Sequence, residues 1–95
     1  MISCAYNRAT HEMYIEGHAN YAPYGTDIVC AGVTALEAAL GEWMKTREGC
    51  FESIQPSSTY FRGTAETEDV MDCIWSGLLL IEYHYKNFCE CKEIS

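Results

Sequence analysis

A chain of 95 residues, 48% hydrophobic and 13% aromatic, reads as one folded domain and not as a disordered segment. Its formal charge of −8 argues against a direct nucleic-acid ligand and favours a basic partner through long-range attraction. The longest apolar run, GLLLI at 77–81, is far too short to cross a bilayer, and residues 1–15 lack both the basic start and the apolar block of a secretory signal. The expectation is a cytoplasmic protein with no membrane contact and its six cysteines reduced. A domain this small buries a modest core, which oligomerisation could supplement.

Taken in chain order, Ile2, Cys4 and Tyr6 alternate, as do Met13 and Ile15, and NRATH between them can turn. That pattern predicts a β-hairpin with one buried face. Gly17 ends the second strand and His18 follows. Residues 20–26, NYAPYGT, form a loop, because Pro23 and Gly25 interrupt regular structure and Asn20 favours a turn. Thr26 or Asp27 can cap a helix running from about Asp27 to Arg47, with Val29, Val33, Leu36, Leu40 and Trp43 as its apolar stripe. Gly49 ends it. CFESIQ and TYFR, joined by PSS, predict a second hairpin.

Thr64 or Thr67 then caps a second helix whose stripe is Val70, Ile74, Leu78, Ile81, Tyr85 and Phe88. The polar tail CECKEIS is expected to fray. The order ββαββα predicts an α+β domain, a two-layer sandwich in which a sheet of two hairpins packs on two helices.

Cys30 falls in the first turn of the first helix. Backbone N–H groups there lack intrahelical partners, and the partly positive helix end favours a thiolate. The same groups could hold a tetrahedral oxyanion. His18, anchored at a strand end, can act as the base once the loop folds back. Asp27 can orient the imidazole or serve as the cap, and the cap is favoured. Tyr21, Tyr24 and Gly25 lie in a loop that can order over a substrate. The bland alternative is a structural cysteine and a surface histidine. Cys4, Cys50 and Cys73 read as scattered core residues. Cys89 and Cys91 form a C-x-C near His84 but lack a second ligand pair, so no metal and no cofactor is expected.

The stretch GHANYAPYGTDIVCAGVTAL resembles the ribosomal-processing cysteine protease Prp family, also called YsxB-like, in GHA, a short loop and G-x-DIVCAG. The His–Cys separation agrees, and a looser likeness extends over the chain. The resemblance implies a homodimeric cysteine endopeptidase. Its substrate would be the N-terminal extension of large-subunit ribosomal protein number twenty-seven, cut after a bulky aromatic residue. It implies His18 as general base, Cys30 as nucleophile and Asp27 as a possible supporting residue. The loop between them would close over the peptide. Thr34 stands where the family more usually has Ser. A phage structural protein is an alternative substrate. A non-catalytic dimer binding a basic ribosomal or phage protein is the alternative function.

Overall fold

The structure is a computed structural model that describes residues 1–23 and 26–94. Period-two alternation builds the first hairpin as expected. Strand β1 (Ile2–Asn7) pairs antiparallel with β2 (Glu12–Glu16), setting Cys4 opposite Ile15 and Tyr6 opposite Met13. All four side chains are buried. The second hairpin is β3 (Phe51–Gln55) with β4 (Ser58–Arg62), turning through Pro56 and Ser57. Strand β4 also pairs with β2, placing Phe61 beside Met13, so the two hairpins share one sheet.

Helix α1 spans Ile28–Met44, and α2 spans Glu68–His84 after a short 3-10 turn at Ala65–Thr67. Val29, Val33, Leu40 and Met44 of α1 meet Met71, Ile74, Trp75 and Leu78 of α2 in one buried core with the strands. Trp75 packs on Tyr6 with ring centroids 5.4 Å apart. The α+β, two-layer reading is therefore correct.

Four expectations need correction. Helix α1 stops three residues before Arg47, because Thr46 and Arg47 donate to the carbonyls of Trp43 and Met44 and tighten the chain out of the α-helix. Tyr85 and Phe88 do not extend the α2 stripe. Tyr85 leaves helical geometry at φ −134°, and its carbonyl accepts from Phe88 and Cys89, turning the chain back.

The tail does not fray. It forms β5 (Cys89–Ile94), parallel to β1, with Cys89 beside Ile2 and Cys91 beside Cys4. The sheet order is thus β3-β4-β2-β1-β5. Cys89 and Cys91 point inward, while Glu90 and Lys92 face out along an edge that charged residues keep from pairing further. Arg8 bridges Asp72 of α2 and Glu93 of β5, the latter at 3.0 Å. Nor are the cysteines all scattered: the sulfurs of Cys4, Cys89 and Cys91 lie within 4.8 Å of one another.

Candidate active site

The site begins where β2 ends. Gly17 has φ +90°, and its N–H donates to the Ser57 carbonyl at 2.9 Å. A Cβ on Gly17 would collide with the Met1 carbonyl oxygen, so the position accepts glycine alone. This turn sets the direction of His18 and carries Ala19 inward, where it is buried. The Ala19 N–H donates to Cys30 Sγ at 3.3 Å.

Asp27 organises the other side. Its Oδ1 accepts from the N–H groups of Val29 and Cys30, each at 3.0 Å, which is a helix N-cap. Its Oδ2 accepts from Tyr21 at 2.9 Å and from Ala22 at 3.4 Å. The Cys30 N–H foremost, then those of Tyr21 and Ala22, hold this carboxyl below the usual aspartate range, against the opposing effect of burial. One carboxylate therefore ties the loop to the helix start. The cap reading of Asp27 matches this geometry. The expectation of free amides does not: the N–H groups of Val29 and Cys30 are taken by Asp27, and Ala31 N–H donates to the Asp27 carbonyl. The donor that reaches the sulfur comes from Ala19 instead.

His18 and Cys30 open onto one groove of about 970 Å³ between α1 and the β3–β4 turn. Ile15 and Thr59 belong to its sheet side, while Cys30, Thr34 and Glu37 project from α1. Those three lie at i, i+4 and i+7, on one helix face. Ile54, 60% exposed, lines the opposite wall. Burial raises the carboxyl of Glu37, with a hydrogen bond from Thr59 acting the other way. His18 is exposed, and its Nε2 lies 3.4 Å from Ser57 Oγ. Among the described residues no hydrogen bond joins His18 to Cys30, so the two share a groove without being paired in this state.

Tyr21 packs edge-on against Tyr85 and Phe88, with centroids 5.4 and 5.0 Å away. It anchors the loop, and its neighbours Asn20 and Ala22 line the groove. Tyr24 and Gly25 lie outside the described residues. Sequence reasoning missed Ser57, Glu37 and the Ala19 N–H. Glu37 was findable from its helical spacing to Cys30. Ser57 was not, because only the pairing of β2 with β4 brings the second hairpin turn to His18.

The sequence profile described as "Cysteine protease Prp" matches residues 1–90. The fold is similar to that of an essential ribosomal processing protease Prp from S. aureus in complex with a covalently linked product peptide. That match has a TM-score of 0.84 and 20% identity, and covers 99% of this chain and 100% of that one. The same S. aureus protease in complex with a substrate peptide gives 0.82 and 20%, over 99% and 100%. SMU.848 from Streptococcus mutans gives 0.71 and 18%, over 98% of this chain and 91% of that one. No curated protein matches the sequence.

Proposed function

Since the chain belongs to the cysteine protease Prp family, we propose that it is an endopeptidase with Cys30 as nucleophile and His18 as general base. Its substrate is the N-terminal extension of a ribosomal protein, with large-subunit protein number twenty-seven as the first candidate. The observation that carries the reading is that the Cys30 thiol and the His18 imidazole open onto the same peptide-sized groove.

The chemistry follows from these positions. A peptide seated along the groove draws the His18 ring from Ser57 toward Cys30. The imidazole accepts the thiol proton, and the sulfur attacks the scissile carbonyl carbon. The Ala19 N–H, beside the sulfur, donates to the developing oxyanion. His18 then protonates the leaving amine, and water releases the acyl group from Cys30. Ile54, exposed on the groove wall, offers apolar surface to a bulky residue beside the cut. The charge of −8 draws in a basic ribosomal protein. The working form is a cytoplasmic homodimer.

The test is incubation with a synthetic peptide spanning the extension and the first residues of the mature ribosomal protein, read by mass spectrometry. A single cut after an aromatic residue is expected, abolished in Cys30→Ala with no change in thermal unfolding. Cleavage that persists in Cys30→Ala rejects Cys30 as nucleophile. Tight binding of the peptide with no cleavage favours the interaction protein.

A further inference from the structure

Three thiols meet at the edge of the sheet farthest from the β3–β4 turn. Register brings them together: Cys4 lies directly beside Cys91 on the parallel neighbour, and Cys89, two residues earlier, points to the same face. All three sulfurs fall within 4.8 Å of one another. Metal–sulfur bonds of about 2.3 Å set the sulfurs of a trigonal or tetrahedral site about 3.8–4.0 Å apart, so the cluster needs little movement to close on an ion. Cys4 and Cys89 are fully enclosed, while Cys91 is half-buried and offers the way in.

We propose that Cys4, Cys89 and Cys91 bind one thiophilic closed-shell metal ion, copper(I) or zinc. Sulfur-only donors select these ions over the hard cations that prefer oxygen. Three sulfurs suffice for copper(I). Zinc adds a fourth ligand on the open side, a water or the carboxylate of Glu82, whose Oε2 already accepts from the Cys91 N–H at 2.6 Å. Binding displaces the thiol protons to solvent and leaves the ion held by thiolates, with no change of oxidation state. The ion cross-links the first strand to the last, and so clamps an edge strand also held by its ladder, by the buried Cys89, by Glu82 and the Leu78 carbonyl of α2, and by the Arg8–Glu93 pair. This site is independent of Cys30.

The experiment uses the full chain, purified with reductant and stripped with chelator, then given one equivalent of Zn²⁺ or of Cu⁺ delivered as its bicinchoninate complex. Native mass spectrometry is expected to show one ion per chain. The ion is kept by Cys30→Ala and Cys73→Ser and lost by Cys91→Ser. Alkylation of the native loaded protein with N-ethylmaleimide is expected to spare Cys91, and chelator is expected to restore its labelling. Whichever ion survives competition with the other identifies the occupant. Retention of neither ion overturns the proposal, as does full retention in Cys91→Ser. An internal disulfide among these cysteines in place of loading overturns it as well. If Cys91→Ser does not fold, alkylation of the unmutated chain decides: Cys91 labelling that the metal does not slow refutes the site.

Discussion

The turn before His18 allows a sharp test of how the site is aimed. Gly17 has φ +90°, and a Cβ there would overlap the Met1 backbone carbonyl. Gly17→Ala therefore costs twice. Left-handed backbone costs a non-glycine residue about 1–2 kcal/mol. Relieving the overlap adds to this, because the opposing atom belongs to the backbone that leads into β1 and cannot rotate away. A total of about 2–3 kcal/mol lowers the Tm of a chain this size by roughly 8–24 °C. Gly49→Ala is the matched control. It has φ +83°, but its Cβ meets only the Thr64 methyl at 3.1 Å, a side chain that can yield. It is expected to show the backbone cost alone, about 1–2 kcal/mol. Scanning calorimetry of the two variants gives the comparison. Peptide turnover adds a second, since a shifted His18 lowers kcat in Gly17→Ala and not in Gly49→Ala. If Gly17→Ala is no less stable than Gly49→Ala, the close approach to Met1 does not constrain the site.

Asp27→Asn keeps an oxygen to cap α1 but removes the charge. Because the native carboxyl is held below its ordinary range, its stabilisation is complete above about pH 4 and fades as pH falls through the lower folded value. The urea-midpoint gap between wild type and Asp27→Asn is expected to be constant from about pH 5 to about pH 8 and to close below about pH 4. A gap that survives further acidification refutes the charged-cap argument. Tyr21→Ala removes two edge-on aromatic contacts from a ring that is 42% exposed, a loss of about 1 kcal/mol. Its amide and that of Ala22 are expected to exchange hydrogen faster, while exchange in α2 is unchanged. Unaltered loop exchange would mean that Asp27 alone holds the loop.

Where burial is one-sided, the fold was legible. Ile2, Cys4 and Tyr6 against Met13 and Ile15, and the i, i+3, i+4 spacing of Val29, Val33, Leu36 and Leu40, leave little choice of element. Strand β5 was not, and the reason is physical. CECK alternates, but its inward residues are small thiols and its outward residues are charged, and Glu93 and Ile94 break the pattern, so a propensity reading sees a polar tail. What makes it a strand is the open edge of β1, and no local signal reports an edge. The same ladder brings Cys4 to Cys91 across most of the chain length. A spacing rule for metal ligands looks within a few residues, so it could find the C-x-C and miss the third thiol.

The active site divides along the same line. His18 and Cys30 stood out because a thiol at a helix start and a histidine at a strand end are chemically conspicuous. The electrostatics around them were misassigned, because capping and anion binding draw on the same N–H groups. A helix start offers four such donors, and an aspartate at the cap consumes the ones closest to the sulfur. In this chain Asp27 does so with one oxygen while its other oxygen fastens the loop. A negative carboxylate at that place opposes a thiolate next to it, so activation cannot rest on the helix end alone. The proposed mechanism adds a donor to the sulfur and a base that arrives with the substrate. Ala19 N–H supplies the first. The second, in the proposed mechanism, is His18, which rests 3.4 Å from Ser57 Oγ on the groove wall. Under the proposed mechanism, thiol ionisation is tied to occupancy of the groove, because His18 reaches Cys30 only when a peptide lies across it.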